Sequence, residues 1–302
     1  MDFTLPRLRS AGRPVNSGER FTDPARRVGA IAIMAGSILL AGIPTAGQAA
    51  TSEAIDRAAL RVCADPNNMP FSNEAGEGFE NKIAELIAAE LGVPVQYTWY
   101  PNTVGFIRNT LRARKCDLVL AAPTASELLQ NTNPYYRSTY ALIYRKDSGL
   151  TATSLSDPVM KSLRIGVVAG TPPATLIAKY SLFDQMRPYH LMVDTRFESA
   201  TARMIDDVSS GEVDVGLLWG PIAGYHAKTH NPSLVMVPID PHTENGTRVD
   251  FRIHMGLRYN EPEWKHRLNE FIRDKQHEIR AILVEYGVPL LDDQGNLIDV
   301  PD

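Results

Sequence analysis

Polar side chains and one aromatic ring follow the first strand-like stretch of the chain, in the sequence RVCADPNNMPFS. Residues 60–64 predict a buried strand, and the loop after it brings Asp65, Asn67, Asn68 and Phe71. In open α/β sheets, ligands bind beyond the carboxyl ends of the strands. Carboxylate, amide and ring groups at such a strand end can bind a solute or a partner protein in a cleft. The alternative is an ordinary surface loop that needs no partner.

Six residues outside this loop are predicted to face the same cleft. Tyrosine, tryptophan and arginine are enriched at protein interfaces, and the turn before a helix offers N–H groups to an anion. Each also has a structural interpretation, as a core tryptophan, a Pro-Tyr-Tyr segment that braces a hinge, or prolines that merely begin a helix. The six residues are Thr124, Tyr135, Tyr136, Arg137, Thr171 and Trp219.

Residues suited to catalysis are sparse. Asp65 and Glu80 can in principle act as acid or base, although a turn or capping role is the commoner use of such residues. His226 and His230 have a metal-binding spacing, but no third ligand lies nearby and Ala227 stands where a zinc protease carries glutamate. The sequence has no Gly-x-Ser-x-Gly elbow, Walker loop or nucleotide fingerprint. We predict a non-enzymatic chain that itself binds no metal and no cofactor.

Alternating strand and helix patterns must position these residues. Their order, repeated in two series, predicts an α/β fold with two lobes built on parallel sheets. The predicted strands are 60–64, 95–100, 116–121, 163–168, 190–193 and 213–219. The predicted helices are 81–91, 104–114, 175–180, 200–209 and a long segment at 262–286.

Two extended segments, 139–146 and 249–259, are predicted to cross between the lobes. The first lobe is then discontinuous. We assign residues 50–144 and 250–302 to lobe 1 and residues 145–249 to lobe 2.

The first 49 residues have the composition of an export signal. Arginines precede an apolar run at 28–43, and small residues follow it. That run is shorter than the roughly 20 residues that cross a bilayer. Residues 1–49 hold six basic and three acidic side chains, so the remainder carries 25 Lys and Arg against 32 Asp and Glu. We predict a periplasmic monomer that is not inserted in the membrane after cleavage and does not bind nucleic acid.

Cys63 and Cys116 are the two cysteines of the chain, and an oxidising compartment permits a disulfide between them. Both fall on strands predicted to be neighbours. Cys63 lies near the end of its strand and Cys116 at the start of the other, a stagger of roughly 10 Å that exceeds disulfide reach. A disulfide and two buried thiols both remain open.

The order of these signals resembles the bilobal periplasmic solute-binding proteins that bind amino acids, and it implies their type II fold. Amino-acid binders usually carry an arginine about nine residues before the Pro-Tyr pair and an acid at the end of the lobe 2 strand. Here Ala125 and Trp219 occupy those positions, so both charges of a zwitterion would stay uncompensated. The resemblance rests on Arg61–Asp65 with Pro70–Phe71, Gly78–Glu80, Lys115–Leu118, Asn133–Tyr136, Arg164–Val167 with Gly170–Thr171, and Gly211–Val215.

A narrower resemblance covers nearly the whole chain after residue 49. The phrases CADPNNMPFSN, GFENKIAEL, NPYYRSTY, GEVDVGLLWGPIAGY and TPPA are similar to the MxaJ/XoxJ family of periplasmic binding-protein-like proteins. The resemblance implies an accessory role beside a pyrroloquinoline-quinone (PQQ) methanol dehydrogenase, in its maturation or activation. The partner would carry the PQQ with calcium or a lanthanide, and its cytochrome c is a second candidate partner.

Two other functions compete with this one. The chain can be the receptor of an importer for a neutral or aromatic solute that is not an amino acid. It can also be a dehydratase, since the bilobal scaffold hosts such enzymes, but their chemistry needs a bound carboxylate and Ala125 supplies no cation for it.

Overall fold

The structure, a computed structural model, describes residues 58–122, 127–190, 199–230, 233–242 and 246–298 of the 302-residue chain. The chain divides into two units, 1–49 and 50–302, and every described residue belongs to the second. The predicted export signal therefore lies outside the described residues. Within the described ranges, none of the helices combines the length and hydropathy needed to span a membrane.

The first half of the described chain alternates short strands with helices. Its first long helix, at 79–91, forms because Ile83 and Ile87 share a buried face, and it ends at Gly92 in the left-handed conformation (φ 68°) that glycine tolerates. The elements are β1 (Leu60–Ala64), β2 (Asn67–Asn68), β3 (Ser72–Asn73), α1 (Phe79–Leu91), β4 (Val95–Trp99), α2 (Phe106–Asn109), β5 (Val119–Ala122) and β6 (Gln130–Arg145).

The second half repeats the alternation and ends in two helices. Its elements are β7 (Ile165–Val168), α3 (Pro172–Lys179), β8 (Met186–Tyr189), α4 (Ala200–Ser210), β9 (Val215–Trp219), α5 (Gly220–Tyr225), β10 (Leu234–Pro238), β11 (Asp250–Leu257), α6 (Pro262–Asp274) and α7 (Gln276–Glu285).

The strands form a seven-stranded mixed sheet and two small sheets. The large sheet has the order β5-β11-β6-β9-β7-β8, with β10 also paired to β6, and the small sheets are β1-β4 and β2-β3. β7 is parallel to β8 and β9, and β1 is parallel to β4, whereas β6 is antiparallel to β9, β10 and β11. The predicted α/β fold is confirmed. Its large sheet is mixed rather than parallel because the connecting strands β6 and β11 run against their neighbours.

Strand β6 is the first predicted crossing segment, and it is twice as long as the prediction of 139–146. Its residues 130–139 pair with β11, and its residues 140–145 pair with β9 and β10. The second predicted crossing, at 249–259, is β11. One 16-residue strand therefore links a first group of strands, β5 and β11, to a second group, β7, β8, β9 and β10. The lobe boundaries at 144/145 and 249/250 stay a prediction.

Two predicted helices differ most from the structure. The helix at 104–114 is limited to α2, because Thr110 leaves the helical conformation (φ −120°, ψ −85°). The segment at 262–286 is two helices, because Lys275 (φ −108°, ψ 19°) ends α6 and α7 begins after it. The strand predicted at 190–193 lies outside the described residues except for its first residue, and the structure has the strand β8 directly before it, where Met186 pairs with Ile165 of β7.

The core consists of separate clusters on the two groups of strands. The first packs α1, α6 and α7 around β1, β5 and β11, with Trp264 and Phe79 among its fully buried side chains. The faces of the second strand group are covered by α3 on one side and α4 on the other, where Leu176 and Met204 are fully buried. Residues at the carboxyl ends of β1, β5 and β9 line the candidate site.

A buried ion cluster holds the entry of β5 against β1. The Asp117 carboxylate is 1% exposed and accepts hydrogen bonds from Arg61 (Nη2–Oδ1 2.7 Å) and Arg258 (Nη2–Oδ1 2.6 Å). Arg258 also pairs with Glu261 (2.5 Å) and donates to the carbonyl oxygen of Cys116. Because a buried carboxylate needs such partners, the segment before β5 is fixed in place.

Cys63 and Cys116 form a disulfide, with their Cα atoms 5.5 Å apart. The stagger estimated from two extended strands was wrong because Cys116 lies outside β5. The chain turns after Arg114, whose φ is 58°, and reaches its first bridge to β1 only at Leu118. That turn brings Cys116 back to Cys63. The disulfide ties the carboxyl end of β1 to the segment that enters β5.

Candidate functional site

A cavity of about 200 Å³ lies at the carboxyl ends of β1 and β5, where the sequence predicted a ligand site. Five of the ten predicted site residues meet there. Its walls combine two acidic side chains, amide and hydroxyl groups, and aromatic rings. The predicted residues among them are Asp65, Asn68, Phe71, Tyr136 and Trp219.

The loop after β1 is organised by Asp65, which is 3% exposed. Its Oδ1 accepts from the backbone N of Asn67 (2.9 Å) and its Oδ2 from the backbone N of Asn102 (2.6 Å). The Ser72 hydroxyl donates to the Asp65 carbonyl oxygen (2.8 Å). These contacts explain why the strand ends in polar residues, because the loop needs a buried carboxylate to satisfy its own N–H groups. Asn67 is exposed and does not line the cavity.

Glu80, in the first turn of α1, is a further side chain of this cavity. Its backbone N donates to the Phe71 carbonyl oxygen (2.9 Å), and Gly78 lies so close to the same carbonyl that an added Cβ would stand 2.1 Å away. This close approach aims the first turn of α1 at the end of β1. Glu80 is therefore buried, with only 8% of the residue exposed.

The Glu80 carboxyl has an unusual environment. Its Oε1 is buried and has no hydrogen-bond partner among the residues that the structure describes. Burial, and to a smaller extent the nearby charge of Asp65, raise the pKa of this carboxyl to about 8. The group is therefore mostly a neutral acid at pH 7. From the sequence, Glu80 was weighed as an acid or base against the commoner turn or capping role, because the burial of an acid in a first helical turn has no local sequence signal.

Aromatic rings form the remaining wall. Burial raises the pKa of the Tyr136 hydroxyl well above its usual range, and this buried oxygen has no hydrogen-bond partner among the described residues. Trp219 packs against Tyr140 and Phe251, with ring centroids 5.1 and 5.9 Å away. Phe71 meets Phe79 edge to face at 5.2 Å. Trp219 therefore serves both interpretations made from the sequence, since it packs in an aromatic cluster and lines the cavity.

The other predicted site residues lie elsewhere. Tyr135 is buried on the opposite side of β6, where its hydroxyl donates to the Leu120 carbonyl oxygen (2.8 Å). Arg137 pairs with Asp250 (2.7 Å) and donates to two carbonyl oxygens near the carboxyl terminus. Thr171 donates to the Val168 carbonyl oxygen (2.6 Å) and lines a separate, open groove.

Thr124 and Ala125 lie outside the described residues. Their predicted places at the cleft stay predictions. His226 begins a π-helical turn that ends at His230. Over the described ranges, no three His, Cys, Asp or Glu side chains come together in a group that could hold a metal ion.

Comparison with known proteins gives one family and several similar chains. The sequence model of the bacterial extracellular solute-binding proteins, family 3, matches residues 60–287. Protein MoxJ of Methylorubrum extorquens is 29% identical over 283 residues, which cover 86% of this chain and 94% of that protein.

Two solved structures have the same fold and notable identity. The periplasmic binding protein XoxJ of Methylobacterium extorquens AM1 is 39% identical, with a TM-score of 0.65, and the match covers 78% of this chain and all of XoxJ. MxaJ of Methlophaga aminisulfidivorans MPT is 25% identical, with a TM-score of 0.64, and the match covers 77% of this chain and all of MxaJ.

Proposed function

Because the chain belongs to the bacterial extracellular solute-binding proteins, family 3, and within them to the MxaJ/XoxJ family, we propose that it is a non-enzymatic accessory protein of a PQQ-dependent methanol dehydrogenase. In this proposal it acts in the periplasm, binds the dehydrogenase and assists its maturation or activation. The partner holds the PQQ and its metal ion, and this chain holds neither.

The charges around the cavity support this role over amino-acid transport. The described residues that line it include two acids and no base, and the arginine expected at position 125 is replaced by alanine. The acid expected at the end of β9 is Trp219, which presents a ring to the cavity. A zwitterion would therefore bury its carboxylate near Asp65 with no cationic side chain among the described lining residues to compensate it, at a cost of several kcal/mol.

A deletion strain tests the proposal. We expect loss of most methanol dehydrogenase activity at unchanged abundance of the dehydrogenase polypeptide, because the defect is in maturation and not in expression. Plasmid-borne wild-type protein should restore the activity. Tagged protein purified from periplasm should carry the dehydrogenase with it.

Normal dehydrogenase activity in the deletion strain, together with no dehydrogenase in the purified fraction, would contradict the proposal. The same strain tests the second candidate function, a solute receptor of an importer. The cavity, with its buried carboxyl oxygen that has no partner among the described residues, favours that function. A receptor predicts lost uptake of one solute with full dehydrogenase activity.

A further inference from the structure

The cavity at the ends of β1 and β5 has an unbalanced charge. Asp65 and Glu80 both line it, and both side chains are more than nine-tenths buried. Among the described lining residues there is no lysine, arginine or histidine. The Glu80 Oε1 has no partner in the described part of the chain. Two buried carboxyl groups in one small cavity repel each other unless a proton or a cation lies between them.

The other titratable groups that face Glu80 are tyrosines and add no positive charge. Tyr97 of β4 and Tyr135 and Tyr136 of β6 each interact electrostatically with Glu80. Burial raises the pKa of all three hydroxyls, so they stay neutral at physiological pH. The described titratable side chains around Glu80 therefore include no cation that could offset the charge of Asp65.

The walls also suit an organic cation. Phe71, Phe106, Tyr136 and Trp219 bring four rings to the cavity. The face of an aromatic ring attracts a cation within about 6 Å of its centroid. A metal ion fits this wall less well, because no three His, Cys, Asp or Glu side chains come together in the part of the chain that the structure describes. An organic cation can place its charge beside the carboxyl groups and its apolar body against the rings.

We propose that this cavity binds a small organic cation that carries a primary ammonium group, with Glu80 and Asp65 as its anionic partners and the rings around its apolar body. This site goes beyond the proposed accessory function, because it does not require the dehydrogenase. The ammonium group can come from a free alkylamine or from a lysine side chain of a partner. The cavity volume of about 200 Å³ suits a small ligand.

Binding requires the loss of one proton. Glu80 is mostly protonated in the empty cavity at pH 7, since its pKa is about 8. An ammonium group placed beside it stabilises the carboxylate, so the bound state holds Glu80 ionised. Each binding event then releases close to one proton to the buffer at pH 7. Below pH 8, affinity falls about tenfold for each unit of pH.

Titration calorimetry of the protein purified after export tests this site with three probes. Butylammonium and 1-butanol share a carbon chain and differ in charge, and Nα-acetyl-lysine methylamide presents the same ammonium on a peptide unit. We expect butylammonium or the lysine compound to bind with release of nearly one proton, measured in buffers of different ionisation enthalpy. Binding of butylammonium identifies a free amine, whereas binding of the lysine compound alone identifies a partner side chain.

Variants on α1 supply the matched control. Glu80→Gln keeps the shape of the buried side chain and should weaken binding at pH 8 at least tenfold while removing proton release and the dependence on pH. Glu85→Gln changes an exposed acid of the same helix. It should leave the affinity, the proton release and the dependence on pH unchanged. The proposal is overturned if neither ammonium compound binds, if 1-butanol binds as tightly as butylammonium, or if the wild-type protein binds without releasing a proton. The last readout needs no variant, so it decides even if Glu80→Gln fails to fold.

Discussion

Replacing Glu80 by glutamine is expected to raise the free energy of unfolding at pH 8 by about 4 kcal/mol and to change it little at pH 4. The folded protein holds the pKa of this carboxyl at about 8, against an ordinary value of 4.5. The folded state therefore binds its proton more tightly than the unfolded state. The stability that this proton provides is complete below pH 4.5 and is lost as the pH rises to 8. Glutamine keeps the shape and does not titrate.

Urea denaturation of both proteins at a series of pH values measures this difference. Glu85→Gln is the control, because an exposed substitution on the same helix should stay within about 0.5 kcal/mol of the wild type at every pH. If the free energy of unfolding varied with pH in the same way for the wild type and Glu80→Gln, Glu80 could not be a buried acid with a raised pKa.

Replacing Cys63 and Cys116 together by alanine is expected to lower the free energy of unfolding by about 4 kcal/mol. The disulfide closes a loop with a sequence separation of 53 residues. Without it, the unfolded chain gains the freedom that the closed loop removes. Cys63 also lines the cavity and is followed two residues later by Asp65, so the loss should loosen the site as well.

Chemical denaturation with and without a thiol reductant checks the disulfide. Reductant should lower the stability of the wild-type protein by a similar amount and leave the double variant unaffected. Equal stability of the oxidised wild type and the double variant would show that the cross-link does not constrain the unfolded chain.

Much of the fold could be predicted from the sequence, because its signals are local. The amphipathic pattern of α1 and the apolar runs of β1, β5 and β9 place these elements to within a few residues. The loop at Asp65–Phe71 was predicted to face a cleft, and Asp65, Asn68 and Phe71 line the cavity. Strand ends and helix faces are visible in a sequence since each depends on residues that are close along the chain.

What the sequence did not reveal depends on distant contacts. The turn that brings Cys116 to Cys63 depends on Arg258 and Asp117, which are 141 residues apart in the chain. The role of Glu80 depends on burial, which an acid in a first helical turn does not announce. Trp219 lies both in the aromatic cluster and on the cavity wall, so its predicted role in binding stays a prediction.

The central claim is that this cavity no longer holds a free amino acid, because its lining offers carboxyl groups and rings where a zwitterion needs a guanidinium and one acid. Titration calorimetry of the exported protein with each of the twenty amino acids tests this claim most directly. We expect no dissociation constant below about 1 mM, and for lysine weaker binding than for butylammonium, because its carboxylate would lie beside Asp65. A dissociation constant near 1 µM for any amino acid would contradict the claim.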